Sequence, residues 1–197
     1  MLKDLNKIPL ILASRSPRRA ELLDMLKISY VCMPADIDET IEGKPQDEVK
    51  RIAADKALAI SKKIKEDAVI LAADTIVVLD EHILGKPSSE KEAIDMLSFL
   101  SGKTHAVITG VCLYDTRQKK TDVFFEKTKV TFRTLSTEEI RAYVKTKEPM
   151  DKAGAYAIQG LGSVFVKKIN GDFYNVVGLP LAKTIHRLKK MNALILL

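Results

Sequence analysis

Apolar positions in the chain fall into two patterns: short continuous runs, typical of buried strands, and stripes at helical spacing. The run at residues 8–12 predicts a first strand. Ser16 followed by Pro17 then predicts the N-cap and first turn of a helix, whose apolar face is formed by three leucines, Leu22, Leu23 and Leu26. The opening of the chain is therefore predicted to run strand, loop, helix without a spacer.

Further along the chain, the same patterns predict strands and helices in mixed order. Strands are predicted at residues 29–33, 68–73, 76–79, 104–114, 121–134, 163–169 and 173–177. Helices are predicted at residues 45–64, after the N-caps Ser89 and Ser136, and from Pro180 onward. Residues 104–134 are typical of a hairpin, and Asn170-Gly171 predicts a second one. The pattern indicates an α/β fold with a large antiparallel component.

The 197 residues, 46% of them hydrophobic, suffice for one core or for a two-lobed single domain over residues 1–197. With no run of eighteen apolar residues, signal peptide pattern or lipidation motif in the sequence, we expect a cytoplasmic protein without a membrane partner. Cys32 and Cys112 each lie in an apolar run without a close-spaced partner. They indicate core positions, and neither a disulfide framework nor a zinc motif.

The net charge of +6 and the pI near 9.2 suit a polyanionic partner. The lysine doublets are scattered along the chain and are not interleaved with aromatic residues. That distribution is typical of a solvated surface, so we expect no nucleic-acid partner and keep binding by general basicity as the weaker alternative.

Two arginines, Arg18 and Arg19, fall in the first turn of the predicted first helix. Cations at this positive end of a helix are disfavoured by about 0.3–1 kcal/mol each. An anion bound there by the guanidiniums and the first-turn N–H groups would explain them, and the hydroxyls of Ser14 and Ser16 would add neutral donors. The alternative is a solvated helix start with two surface arginines.

Carboxylates cluster shortly after this stretch, at Asp36, Asp38 and Glu39. Such clusters are usually solvated loops, but a magnesium ion near a phosphate site would also require them. Lys56 lies within the apolar stripe of the second predicted helix. A lysine on an inward face must extend to solvent, meet a carboxylate or enter a cleft, since an unpaired buried charge is costly.

Asp74 follows the clearest apolar run, at residues 68–73, and we predict that it ends that strand. In open α/β sheets the carboxyl ends of the strands form the ligand crevice, so the position indicates a functional carboxylate; a turn or helix-cap aspartate is the alternative. The loop around Lys86 could return a second lysine towards Asp74. His105 has no partner motif and is interpreted as a side chain at a strand end.

The sequence contains no P-loop, dinucleotide-binding, nucleophile-elbow or H-E-x-x-H motif. Four cations remain as candidates, Arg18, Arg19, Lys56 and Lys86, together with two acids, Glu39 and Asp74. Cations to neutralise phosphate charge, carboxylates for a divalent metal and a carboxylate to activate water are the groups that polyphosphate chemistry needs.

Eight short motifs resemble the Maf family of nucleotide pyrophosphatases, in order and over nearly the whole chain. They are A-S-R-S-P-R-R from Ala13, I-D-E from Ile37, A-D-T from Ala73, G-K-P from Gly85, L-S-G from Leu100, D-K-A-G-A-Y from Asp151, I-Q-G from Ile158 and V-G-L-P from Val177. Within that family the chain is similar to the branch that acts on dTTP and UTP.

This resemblance implies hydrolysis between the α and β phosphates, with Asp74 as proton acceptor and a divalent cation, Mg²⁺ or Mn²⁺. The two candidate acids, Glu39 and Asp74, are the expected ligands of that ion. The resemblance implies specificity positions at Arg18, Thr75 and Gln159. The positions of Ser14, Arg19, Lys56 and Lys86 in the sequence make them further candidate substrate contacts. The resemblance also implies a mixed, strongly bent α/β sheet flanked by helices, with two lobes around a central cleft, as in inosine triphosphate pyrophosphatases, and a homodimer. The family name also carries an alternative function, inhibition of septum formation through protein interaction.

Overall fold

The computed structural model describes residues 7–194. Its strands are β1 (Leu10–Leu12), β2 (Val31–Cys32), β3 (Val69–Leu79), β4 (His82–Leu84), β5 (Thr104–Asp115), β6 (Lys120–Phe132) and β7 (Val166–Asn170). Its helices are α1 (Pro17–Met25), α2 (Pro45–Ser61), α3 (Glu90–Leu100), α4 (Thr137–Lys145), α5 (Phe173–Val177) and α6 (Leu181–Lys190).

Hydrogen bonds join the strands in the order β2-β1-β3-β5-β6-β7, with β4 added to β3. The β1 strand pairs in parallel with β2 and β3, whereas the β3–β4 and β6–β7 pairs are antiparallel. The prediction of a mixed α/β sheet flanked by helices is therefore confirmed. The chain divides into two compact units, and the arrangement of two lobes around a cleft within one domain stays a prediction.

The first unit contains the chain up to Asp74, Thr109–Phe125 and the chain from Gly178 onward. Its core includes small and branched residues of α2 packed with β1 and the first half of β3. A Cβ atom at Gly110 would lie 2.2 Å from the carbonyl oxygen of Val49, so α2 packs closer to β5 than any other residue would allow. Lys56 follows Val49 by two helical turns and shares its buried face.

The second unit contains Thr75–Ile108 and Glu126–Val177. Helices α3 and α4 pack together there, and each of them buries its apolar face. Ser136 is the N-cap of α4 as predicted, and it forms a complete capping box with Glu139. An aromatic cluster made of His105, Phe132, Tyr143, Tyr156 and Phe165 fills the interior of this unit.

The prediction of a strand at residues 173–177 is wrong, because this segment forms the helix α5. The Oδ1 atom of Asp172 accepts the N–H of Tyr174 at 2.8 Å, as a residue at a helix start does. Asn175 is fully buried, and its Nδ2 atom donates to the carbonyl of Val107 at 3.1 Å and to Oγ1 of Thr128 at 2.9 Å. These bonds pair the buried NH₂ group of Asn175, whose donors a second hairpin strand would have had to place elsewhere.

The prediction that a strand ends at Asp74 is also wrong. The β3 strand runs on through Asp74 and Thr75 to Leu79, where β4 pairs with it. A charged residue inside a buried strand is tolerated when it has a partner of opposite charge, and Asp74 has one in Lys56.

Of the two cysteines, Cys112 is buried as predicted, whereas Cys32 is exposed on β2, which lies at the edge of the sheet. Among residues 7–194, none of the helices has both the length and the apolar character needed to cross a membrane.

Candidate active site

Lys56 lies between two carboxylates in the first unit. Its Nζ atom is 2.8 Å from Oδ1 of Asp74 and 2.9 Å from Oε1 of Glu39. The side chains of Lys56 and Asp74 are only 9% and 12% exposed, whereas that of Glu39 is 48% exposed. The inward lysine has thus found carboxylates, one of the three outcomes open from the sequence, and it leaves one carboxylate of the cluster accessible to solvent.

Only Glu39, of the three acids in the 36–39 segment, has an ion pair with Lys56 among the contacts of the described residues. Asp36 pairs with exposed Arg15 at 3.2 Å, and Oδ1 of Asp38 accepts the backbone N–H and the hydroxyl of Thr40. The segment is held against α2 because Arg51 donates to the carbonyl of Thr40 at 2.7 Å. The local turn therefore directs Glu39 towards Lys56.

The loop between β1 and α1 is organised around the hydroxyl of Ser14. This buried oxygen accepts the backbone N–H of Ser16 at 3.2 Å and an N–H of the Arg19 guanidinium at 2.9 Å. The thiol of Cys32 donates to the Ser14 carbonyl at 3.3 Å. Ser16 is the N-cap of α1 as predicted, but its side chain makes no capping hydrogen bond.

The two arginines at the start of α1 differ in their surroundings. Arg19 is buried, and its Nε atom donates to the carbonyl of Gly178 at 2.8 Å. Burial lowers the pKa of Arg19, the neighbouring charge of Arg18 acts in the same direction, and the carboxylates of Asp74 and Glu39 oppose it. An arginine keeps its charge in proteins even so. Arg18 is only partly buried, so its guanidinium is the more accessible of the two.

The other three predicted site residues belong to the second unit. Thr75 directly follows Asp74 in β3 and is partly buried, Lys86 is exposed in the loop after β4, and Gln159 is exposed in the loop before β7. The first unit therefore brings Ser14, Arg19, Glu39, Lys56 and Asp74 together. Convergence of Lys86, Thr75 and Gln159 on this group stays a prediction.

Two carboxylates that contact the same ammonium suit a divalent ion that also takes oxygens from substrate and water. Glu39 and Asp74 both lie within hydrogen-bonding distance of one nitrogen, so a cation can reach both. Within residues 7–194, histidine, cysteine and acidic side chains form no group of three or more that could hold a metal ion. Mg²⁺ is commonly held by one or two carboxylates together with substrate phosphates, and this pair fits that mode.

Two residues beside the loop of residues 157–162, called the Gln159 loop below, were not predicted from the sequence: Tyr143 and Glu148. Tyr143 lies on the buried face of α4, and Glu148 lies in the turn that follows this helix. The hydroxyl of Tyr143 donates to Oε1 of Glu148 at 2.8 Å. The available signal was a lone acid at the entrance to a loop rich in backbone N–H donors.

Comparison with curated proteins gives near full-length relatives. A dTTP/UTP pyrophosphatase of Bacillus cereus (strain G9842) is 49% identical over 185 residues, covering 93% of this chain and 95% of that protein. The protein of the same name from Bacillus thuringiensis subsp. konkukian (strain 97-27) matches with the same identity and coverage.

Solved structures show weaker likeness. The Ham1 protein of Staphylococcus aureus has a TM-score of 0.42 and 16% identity, covering 63% of this chain and 71% of that one. The nucleoside-triphosphatase / dITP/XTP pyrophosphatase of Mycobacterium abscessus has a TM-score of 0.39 and 14% identity, covering 65% and 76%.

The family model described as Maf-like protein matches residues 9–191, which includes every site residue discussed above. With this match and the 49% identity to curated relatives, the chain belongs to the Maf family.

Proposed function

We propose that this protein is a metal-dependent nucleoside triphosphate pyrophosphatase that hydrolyses dTTP and UTP to the monophosphate and pyrophosphate. The observation that carries the proposal is 49% identity, over 93% of the chain, to a protein named dTTP/UTP pyrophosphatase. The pairing of Lys56 with Asp74 and Glu39 supports it, because a carboxylate held beside a cation suits hydrolysis of a polyphosphate.

In this proposal Asp74 accepts the proton of the attacking water. Its carboxylate is largely buried and Lys56 fixes its orientation, so a water placed beside it would meet an acceptor of defined geometry. Glu39 and Asp74 would hold the Mg²⁺ or Mn²⁺ ion, which supplies neutralisation of charge on the phosphate oxygens when bound. The greater exposure of Glu39 supports its access to an ion that arrives with the nucleotide.

The cations at the start of α1 are proposed to bind the phosphates. Arg18, the less buried of the two, is proposed to donate bidentate hydrogen bonds to the phosphates, and Arg19 contributes positive charge while it holds Ser14 in place. Lys86 is proposed as a further phosphate contact from the second unit. These groups would stabilise the charge of the triphosphate without any covalent step.

Recognition of the base is proposed for Gln159, together with Thr75 and Arg18. A glutamine amide offers both a donor and an acceptor, which match the ring N–H and carbonyl shared by uracil and thymine. The exposed position of Gln159 supports this role. Modified pyrimidine nucleotides with the same edge belong to the same substrate class.

Incubation of the purified protein with dTTP, UTP, CTP, dCTP and ATP in the presence of Mg²⁺ tests the proposal. Chromatography should show monophosphate and pyrophosphate from dTTP and UTP, with slower turnover of the others. Release of orthophosphate alone, or turnover that does not depend on the base, would refute it. The Asp74→Asn protein, purified in parallel, controls for contaminating pyrophosphatases.

The proposal includes four features that go with this activity. Residues 1–197 would act as one domain, in the cytoplasm where nucleoside triphosphates are found, and as a homodimer, without a nucleic-acid or membrane partner. Light scattering during size-exclusion chromatography tests the dimer, and a mass near the 21.9 kDa of one chain would argue against it.

A further inference from the structure

The backbone on both sides of Gln159 is hydrogen-bonded to one carboxylate and one phenol. Oε2 of Glu148 accepts the N–H of Leu161 at 3.1 Å, and its Oε1 accepts the N–H of Gly162 at 3.1 Å. The Tyr143 hydroxyl donates to Oε1 of Glu148 at 2.8 Å and accepts the N–H of Ala157 at 3.1 Å. Two side chains therefore bind the chain two residues before and two to three residues after Gln159.

Glycines let the loop approach these two side chains closely. A Cβ atom at Gly160 would lie 2.7 Å from Oε2 of Glu148, and one at Gly162 would lie 2.7 Å from the hydroxyl oxygen of Tyr143. Gly160 also has a φ of 109°, a conformation that other residues rarely adopt. The loop is thus fitted against Glu148 and Tyr143 by shape as well as by hydrogen bonds.

The charge of Glu148 strengthens this arrangement. Burial opposes its ionisation, but the N–H groups of Gly162 and Leu161 and the hydroxyl of Tyr143 outweigh burial and lower the pKa of Glu148. Burial raises the pKa of Tyr143, so its hydroxyl keeps the proton that it donates. Hydrogen bonds to an ionised acceptor are about twice as strong as neutral ones.

We propose that Glu148 and Tyr143 are positioning residues for base discrimination, acting through the Gln159 loop. This inference rests on the proposed function, in which the Gln159 amide reads the pyrimidine edge. Gln159 is exposed, so the direction of its side chain depends on the backbone that carries it. Reading a base edge requires the amide to be held in a narrow range of positions, and the hydrogen bonds on both sides of Gln159 supply that restraint.

Glu148→Gln and Tyr143→Phe test this inference. In Glu148→Gln, the new side-chain amide keeps one acceptor oxygen but turns an NH₂ group towards a backbone N–H. In Tyr143→Phe, both hydrogen bonds of the hydroxyl are lost while the ring is kept. We expect each variant to raise KM for UTP about tenfold, with kcat changed by less than about threefold, and to lower the preference for UTP over CTP about tenfold. The Gln159→Ala protein sets the scale of the full loss.

A double-mutant cycle separates positioning from general destabilisation. In the Gln159→Ala background, Glu148→Gln should cause no further loss of preference, because its effect passes through Gln159. The matched control is Glu139→Gln. The Glu139 carboxylate likewise accepts a backbone N–H, in the capping box at the start of α4, and its loss should leave the preference for UTP over CTP unchanged. Thermal unfolding of every variant shows whether it is folded at the assay temperature.

Equal loss of kcat on all nucleotides with unchanged preference, or full additivity in the cycle, would overturn the inference. If Tyr143→Phe fails to fold, Glu148→Gln and Gly160→Ala carry the test. Should the wild-type protein prefer a nucleotide other than dTTP or UTP, the proposed substrate fails. The same variants are then measured on the preferred nucleotide, where retained discrimination contradicts the role of Glu148 and Tyr143.

Discussion

The ammonium of Lys56 lies 2.8 Å from the carboxylate of Asp74, and both side chains are largely removed from solvent. The lysine comes from α2 and the aspartate from the middle of β3, so one side-chain contact links the helix to the strand that carries the proposed catalytic carboxylate. The second ion pair of Lys56, with the more exposed Glu39, extends the cluster towards solvent.

Asp74→Asn should abolish turnover while the fold is kept. The amide oxygen can still accept a hydrogen bond from Lys56, and Glu39 remains as a charged partner, but an amide cannot take a proton from water. We expect kcat for UTP to fall by about 10²–10⁴, measured as pyrophosphate release. Asp55→Asn, at an exposed position on α2, is the matched control. Activity near the wild-type value in Asp74→Asn would assign the proton acceptor to another group.

Lys56→Met should make the protein less stable and more responsive to magnesium. Without the ammonium, Asp74 and Glu39 lose the positive charge that contacts both of them, so the free energy of unfolding should fall by about 1–3 kcal/mol. The loss is smaller than for a fully buried pair because solvent screens Glu39 in part. Millimolar Mg²⁺ should raise the melting temperature of this variant more than that of the wild type. Lys50→Met on the same helix is the control, and equal magnesium shifts in all three proteins would contradict Glu39 and Asp74 as metal ligands.

Local signals in the sequence predicted much of this fold. Ser89 and Ser136 predicted the N-caps of α3 and α4, and the two predicted strands within residues 104–134 predicted the β5–β6 hairpin. The inward position of Lys56 also predicted that it would need a carboxylate. Each of these features depends either on residues nearby in the sequence or on the cost of burying a charge. Neither requires knowledge of tertiary contacts, so both could be predicted from the sequence.

The errors arose where a distant contact decided the local structure. Asn170-Gly171 is a strong hairpin signal, but the buried amide of Asn175 finds its acceptors on β5 and β6, and the segment forms a helix. Asp74 interrupts an apolar run, but its partner lies 18 residues away along the chain, and the strand continues through it. The role of Glu148 depends on backbone N–H groups 13 and 14 residues further on.

The two cysteines should differ sharply in reactivity. Cys32 is exposed on β2, whereas burial raises the pKa of Cys112 to about 12, so almost none of it is thiolate at neutral pH. A maleimide or Ellman's reagent should modify one thiol per chain in the native protein and two after unfolding. Cys32→Ser should remove the native reaction, and rapid labelling of Cys112 in the folded protein would contradict its burial.

Acid should destabilise the protein through His105. This residue is 2% exposed, its Nε2 atom lies 2.9 Å from the Tyr156 hydroxyl, and its buried Nδ1 atom has no hydrogen-bond partner among residues 7–194. Burial lowers the pKa of His105 to about 4, against about 6.5 in an unfolded chain. Above pH 6.5 the ring is neutral in both states and contributes no pH dependence. Below it, the unfolded state binds the proton first, so stability is lost as the pH falls towards 4.

The expected loss between pH 7 and pH 5 is about 2 kcal/mol from this one group. Urea unfolding at each pH measures it, and His105→Phe, which keeps a ring of similar size against Phe132, should flatten the pH dependence by that amount. Exposed His186 provides the control, since His186→Gln should leave the slope unchanged. Carboxylates that titrate near pH 5 contribute equally to all three proteins, so the difference isolates His105. If His105→Phe lost as much stability as the wild type over this range, His105 would not be the group that takes up the proton.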